Sequence, residues 1–468
     1  MKLKPTILIA FAAAGVCATA QGLVTDLPAV YITTPAGSVI NTEEYVNTSM
    51  TIIDSDGTRT DYADTRLRGR GSAKFALAKK PYKIKLFAKE KLLGSDGAKA
   101  KKWNLMARHG DKTLLRNSVG SFIALQAGQP FAPGTRFVDL TIDGKYQGTY
   151  QLTDQIDIRK KRVNITEQPE VITSATNITG GYLLEIDDEA DELDGTVFTT
   201  DKGVKITVKS PDEDVIQPAQ TAYIKAHVQK FEDALFAENW LDPAAGYRRY
   251  IDLDSFISWY ITNEYAAEPN AFRAVYFYKD IDSDKLTFGP VWDFDFAFDN
   301  SSRFGSRPRA LIAQEGRGPE WCYLWIDRLR QDSQFHIAVN DAWKKLTDGG
   351  IVDKVNAYID SQAAVIDRSQ QKNFELYPIA ERVHDEMYLF NTYAEGVEFL
   401  KKTQAARAAF LTEAFATLAA GGSVESSIDE IASPANPAEP AVIYDLQGRR
   451  VANPCKGLFI KNGKVVKL

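Results

Sequence analysis

Cysteine is scarce: the 468 residues hold three, and only Cys322 and Cys455 lie beyond the N-terminal segment that contains Cys17. That excludes a disulfide framework, so the fold must be held by its core. Histidine is equally sparse. His109, His227, His336 and His384 are scattered without His-Glu-x-x-His or Cys/His spacing, which leaves a zinc site unsupported. Basic residues are not in excess, since the net charge is -6 and the pI about 5.5. The chain therefore has no footprint for nucleic acid and no polybasic strip for anionic lipid. After residue 20 no window approaches ~20 uncharged apolar residues, so no membrane span is expected. There is no Gly-x-Ser-x-Gly elbow, no Walker sequence and no dinucleotide fingerprint.

What is present begins with Met1–Ala20. Two early lysines, an apolar run from Ile7 to Ala14 and the small-residue triplet Ala18-Thr19-Ala20 read as a cleaved secretory signal. Val16 is bulky where a lipoprotein signal wants a small residue before its cysteine, so lipidation at Cys17 is the lesser reading. With 44% hydrophobic residues the remainder can bury one large core or two ordinary ones.

From Val30 to Lys85, alternating or β-branched runs between Gly, Asp and Pro signals predict strands. Thr113–Ala127 has helical spacing, Phe137–Leu152 reads as a hairpin turning at Asp143-Gly144, and Tyr182–Ile186 reads as a further strand. This order predicts an α+β lobe. Pro218–Phe236, Leu253–Tyr265, Tyr323–Leu346 and Val352–Leu418 then predict a helix-rich second half. Gly421–Pro440 has linker composition. Ala441–Leu468, about 28 residues, resumes as strand, turn, strand with turns at Gln447-Gly448 and Asn462-Gly463, too short to bury an ordinary core. No internal repeat occurs.

Three segments could carry chemistry. In Gly289-Pro290-Val291-Trp292-Asp293-Phe294-Asp295-Phe296, a strand would point Asp293 and Asp295 to one face, a seat for a hard divalent cation. Turn or capping aspartates would give the same spacing. Arg66-Leu67-Arg68-Gly69-Arg70-Gly71-Ser72, followed by Lys79-Lys80-Pro81-Tyr82-Lys83-Ile84-Lys85, could cradle a polyphosphate. A solvated basic hairpin reads alike. Asn263-Glu264 and Pro269-Asn270 precede the strand Ala274–Tyr278 as a catalytic loop would, or as ordinary helix-capping residues would.

Taken in order, Leu67–Ser72, Lys80–Lys85, Trp103-Asn104-Leu105, Asp111–Asn117, Gly148–Ile156, Gly180–Glu185 and Gly289–Asp295 resemble the spore coat protein H (CotH) kinase-like family, over about Leu27 to Leu418. The resemblance implies an atypical two-lobed protein-kinase-like fold, with a strand-rich N-terminal lobe and a helix-rich C-terminal lobe. It implies ATP and Mg²⁺ or Mn²⁺ as cofactors, and Ser or Thr of secreted or surface protein as acceptor. Arg68 and Arg70 would neutralise phosphate charge. Lys83 or Lys85, which share a strand face, would hold the phosphates, and Asp154 would orient the lysine. Asp293 would ligate the metal with Asp295 beside it. Asn270 stands where relatives usually carry an aspartate base, and an amide cannot accept a proton. The tail Ile443–Val451 and Lys456–Val466 resembles the C-terminal sorting domain of type IX secretion, which implies that machinery as a partner and an outer-surface or secreted location. A catalytically silent surface adhesin or scaffold is the alternative, and a glycan-active enzyme the third reading, motivated by abundant aromatics and carboxylates.

Overall fold

The computed structural model describes residues 21–187, 196–281, 283–302, 310–314, 323–383 and 385–424, and from the tail the strand segments 443–444, 450–451, 458–461 and 464–467. The expected signal at 1–20, most of the linker and both tail turns lie outside the described residues.

The first half is built on strands β1 (Ala29–Thr33), β2 (Val46–Ile53), β3 (Arg59–Gly69), β4 (Tyr82–Glu90), β5 (Ala100–Met106), β6 (Thr135–Ile142) and β7 (Lys145–Asp154). They close into a seven-stranded barrel in the order β1-β2-β3-β4-β5-β7-β6, and the parallel pair β1·β6 seals it. Alternation explains the barrel. On β4, Tyr82, Ile84 and Leu86 point inward while Lys83 and Lys85 face out, and inside they meet Leu67, Trp103, Leu105, Val138, Leu140 and Leu152. The β6–β7 hairpin turns at Asp143-Gly144, both with positive φ (49° and 74°), as a two-residue turn of that composition should. The strand-rich half is thus a closed barrel rather than an open sheet. Two short helices are inserted in it: α1 (Ser72–Phe75), after the Gly-rich loop, and α2 (Arg116–Gln126).

A second sheet, ordered β12-β11-β8-β10-β9, joins β8 (Tyr182–Asp187), β9 (Val197–Thr199), β10 (Lys205–Ser210), β11 (Ala274–Lys279) and β12 (Thr287–Phe288). Around it pack α3 (Pro218–Phe236), α4 (Leu253–Ala266), α5 (Tyr323–Leu329), α6 (Ser333–Asp348), α7 (Ile351–Val365), α8 (Asp367–Leu376) and α9 (Tyr393–Ala419). The expected helix at 323–346 is two: α5 ends at Leu329, and Asp332 starts α6 by accepting a hydrogen bond from Gln334 N–H. The fold class is mixed α+β. Among the described residues no helix is long and apolar enough to cross a membrane.

In the tail, β13 (Ile443–Tyr444), β14 (Arg450–Val451), β15 (Leu458–Lys461) and β16 (Lys464–Lys467) pair antiparallel in the order β14-β13-β15-β16.

Candidate active site

Helix α2 builds the floor. Asp111 braces its start, accepting from Thr113 N–H at 2.9 Å just ahead of the helix and from Arg116 N–H at 2.9 Å, and it pairs with the Arg116 guanidinium at 2.5 Å, both side chains fully buried. Arg116 Nε then donates to Ala297 O at 3.0 Å, which ties α2 to the segment following Asp295. One turn on, Gly120 must be glycine, because a Cβ there would lie 2.3 Å from the Phe294 ring. Helix α2 therefore presses directly on the aspartate segment.

That segment is not the strand expected from its alternation. Asp293 takes a left-handed conformation (φ 61°, ψ 57°), and Phe294–Phe296 follow as one 3-10 turn. A left-handed non-glycine residue breaks the extended run. The carboxylates still converge, now on a side chain the sequence did not single out. Lys74 Nζ donates to Asp293 Oδ1 (2.7 Å) and Oδ2 (3.0 Å) and to Asp295 Oδ2 (2.7 Å). Arg108 Nη1 lies 3.0 Å from Asp295 Oδ1 and 3.5 Å from Asp293 Oδ1. Burial alone would raise the Asp295 carboxyl, but Arg108 and Lys74 overcome it and hold the group well below the usual carboxylate range.

Glu268 lies beside this aspartate pair. It is 1% exposed; Oε1 accepts from Asn270 N–H at 3.0 Å, and Oε2 is buried without a hydrogen-bond partner among the described residues. Burial first, then the proximity of Asp293 and Asp295, pushes it well above the ordinary glutamate value. Asn270 sits between α4 and β11, its backbone fixed by Glu268 and by Arg273 N–H donating to its carbonyl. Trp292 Nε1 donates to Ala274 O at 3.0 Å, joining the aspartate segment to the start of β11.

Beside the aspartates lies a cavity of about 150 Å³, whose lining includes Arg70, Lys83, Arg108, Asp154, Lys209, Trp292 and Asp293. It shares Lys83, Gln155, Ile156 and Lys209 with a larger cleft of about 930 Å³ that also takes in Arg68, Lys85 and Lys102. The barrel register sets cations directly opposite one another, Arg68 against Lys83 and Arg66 against Lys85, with Lys85 in turn against Lys102. Like charges so placed cost about 0.2–1 kcal/mol a pair unless an anion lies among them. Burial, followed by Arg70, Arg68, Lys209 and Lys102, lowers Lys83 to about 8.

Of the residues read from sequence, Arg70, Lys83, Asp154 and Asp293 share the small cavity. Arg70 lies over the Trp292 ring at 5.6 Å, and Arg68 lies over Tyr45 at 4.7 Å. Lys85 is in the larger cleft only. Asp154 does not orient either lysine: its carboxylate accepts from Arg162 Nε at 2.8 Å and Gly134 N–H at 3.1 Å. A cavity lysine that does pair with an acid is Lys209, 3.1 Å from Glu185 across β10 and β8. The Gly-rich loop is less of an amide cradle than expected, since Gly69 N–H and Arg70 N–H already donate to Asn41 O and Pro81 O. Asn263 and Glu264 are structural, bonded to Trp259 O and, through the Glu264 carboxylate, to Ile312 N–H, Ala313 N–H and Arg407.

Asp293 and Asp295 present three oxygens to one ammonium group, an arrangement a divalent cation could take over from Lys74, whose Nζ stands there as a monovalent charge. Missed from sequence were Lys74, Arg108, Glu268 and Lys209. Lys74 and Arg108 carried a hint, lying just after the quoted Leu67–Ser72 motif and just before the quoted Asp111–Asn117 motif.

No curated protein matches the chain. The family described as CotH kinase protein matches residues 65–411, a span holding the barrel from the end of β3 onward, the aspartate segment and most of α9. The chain belongs to the CotH kinase protein family.

Proposed function

We propose that the chain is an exported protein kinase that transfers the γ-phosphoryl group of ATP to a Ser or Thr hydroxyl of secreted or surface protein. The observation that carries this reading is the convergence of Asp293 and Asp295 beside a cavity lined by Arg70, Lys83 and Lys209. Phosphoryl transfer asks mainly for positioning and neutralised charge, and these are the groups that supply both. In kinase terms the barrel stands for the N-terminal lobe and the helices around α4 and α9 for the C-terminal one.

Lys83, Arg70 and Lys209 would hold the triphosphate, with Glu185 keeping Lys209 directed into the cavity. Asp293 and Asp295 would hold Mg²⁺ or Mn²⁺. When bound, the metal neutralises phosphate oxygens and lowers the charge barrier to transfer. In the transfer the bond between the γ-phosphorus and the bridging oxygen breaks, the acceptor Oγ–phosphorus bond forms, and ADP leaves. The Asn270 amide orients the acceptor hydroxyl, and the proton departs on the transferred phosphate. A loose transition state makes a strong base dispensable, at a cost in rate.

A location outside the cytoplasm is part of this reading, supported by the signal-like pattern of Met1–Ala20. Export across the outer membrane by type IX machinery is part of the same reading, supported by the tail's resemblance to a sorting domain. A second reading, a silent kinase-shaped scaffold, is favoured by Asn270 and by the neutralisation of both aspartates by Lys74 and Arg108.

Phosphate incorporation from γ-labelled ATP, with Mg²⁺ or Mn²⁺ and secreted proteins as acceptors, tests the choice. Incorporation that disappears in Asp293→Ala supports the kinase. Nucleotide binding without incorporation supports the scaffold.

A further inference from the structure

We propose that Lys74 is a built-in occupant of the cation position between Asp293 and Asp295, so that a divalent metal binds this protein only by displacing it and thereby releasing the Gly-rich loop. The inference rests on the metal role proposed above for the two aspartates, but on none of the nucleotide chemistry.

The geometry of the contact is that of a ligand set closed on a cation. Lys74 Nζ lies 2.7–3.0 Å from three carboxylate oxygens of two residues 219 and 221 positions away, at about one-quarter exposure. No local pairing requires this. Lys74 is in α1, a four-residue turn on the loop between β3 and β4, and that loop must cross to the aspartate segment to make the contact.

Charge supplies the second step. Two carboxylates face two cations, Lys74 and Arg108, so these four charges already balance. A divalent ion added beside both would leave a partly buried surplus of two positive charges, which a site of low polarity resists. Arg108 is 8% exposed and also holds Gln151 Oε1 at 2.9 Å, whereas Lys74 is 28% exposed and its side chain bonds, among the described residues, only the two aspartates. Lys74 is therefore the cation that leaves.

Its departure has a route. Gly71 has φ +66° with open space around it, and Arg70, whose guanidinium lies over Trp292 in the small cavity, is on the same loop. Releasing Lys74 frees the segment that carries Arg70, which couples occupation of the cation position to the cationic wall of the cavity.

The test titrates Mn²⁺ alone, without nucleotide, into the full chain and into Lys74→Met, which keeps the length and removes the charge. The account expects Lys74→Met to bind Mn²⁺ about tenfold more tightly or better. In the unaltered protein, Mn²⁺ should raise acetylation of Lys74 by a small acylating reagent several-fold, read by mass spectrometry, and Asp293→Ala should abolish that rise. The labelling decides by itself if Lys74→Met does not fold. Equal or weaker Mn²⁺ binding by folded Lys74→Met, unchanged Lys74 labelling at saturating Mn²⁺, or no Mn²⁺ binding by either protein would overturn the proposal. Because no nucleotide is present, failure of phosphate transfer leaves this result standing.

Discussion

Asn117 grips the aspartate segment with both ends of its amide: Nδ2 donates to Asp295 Oδ1 at 2.5 Å, and Oδ1 accepts from Phe294 N–H at 2.8 Å. A single side chain on α2 thus fixes both the position of a carboxylate and the turn that presents it. An aspartate could keep the bond from Phe294 N–H but would set a second negative charge against Asp295. Asn117→Asp should therefore lose metal-dependent phosphate transfer while staying folded, and Asn117→Ala should lose transfer and about 1–3 kcal/mol of stability from the buried groups left unpaired. Denaturant melts and labelled-phosphate assays on the two variants check this.

Lys209 is held by Glu185, which is 5% exposed, while Lys209 itself is 40% exposed and lines the small cavity. Lys209→Met should weaken ATP binding about tenfold or more and should also lower the melting temperature, because it takes this cation away from the buried Glu185 carboxylate. Calorimetric titration with ATP beside a melting curve separates the two effects.

Lys83 carries a pH dependence of known sign. Its ammonium group is brought down to about 8, so in the free protein it is charged below that pH and neutral above it. An anion favours the charged form. Above about pH 8, binding must then be accompanied by proton uptake, and ATP affinity should fall by up to about tenfold per pH unit. Titrations in two buffers of different ionisation enthalpy will read the uptake directly. Lys83→Arg, which stays charged, should flatten the profile over the same range.

In the proposed reading Asn270 orients the acceptor hydroxyl and accepts no proton. Asn270→Asp would restore a group able to accept it and should raise turnover about tenfold or more with nucleotide affinity unchanged, in line with the usual contribution of general base catalysis. Steady-state assays on the variant check the split between kcat and KM. An unchanged kcat would show that the amide position does not limit the reaction.

Glu264 and Arg407 carry stability instead. Both are buried, 2.9 Å apart, and Arg407 Nε also holds Glu264 O at 2.7 Å. Arg407→Ala would strand a buried carboxylate and should cost about 3–5 kcal/mol in a denaturant melt.

What could be read in the sequence followed from local rules. The span of α3, Pro218–Phe236, and the hairpin turn at Asp143-Gly144 come from Pro at a helix start and from residues that tolerate positive φ. Closure of the barrel could not be read this way, because β1 meets β6 across more than a hundred residues and no residue of β1 signals it. The aspartates were legible as a pair but not in their conformation, since alternation suggests a strand and only packing of α2 on Phe294 reveals the turn. The roles of Lys74 and Glu268 were invisible for the same reason: a lysine on a loop and a glutamate after a helix acquire meaning only from the charges brought to them.

The most direct measurement is a calorimetric titration of the purified chain with ATP and Mg²⁺ or Mn²⁺, alongside Asp293→Ala. The account predicts saturable, metal-dependent binding in the unaltered chain and loss of its metal dependence in the variant. No binding at millimolar nucleotide, or binding that ignores both the metal and Asp293, would contradict it.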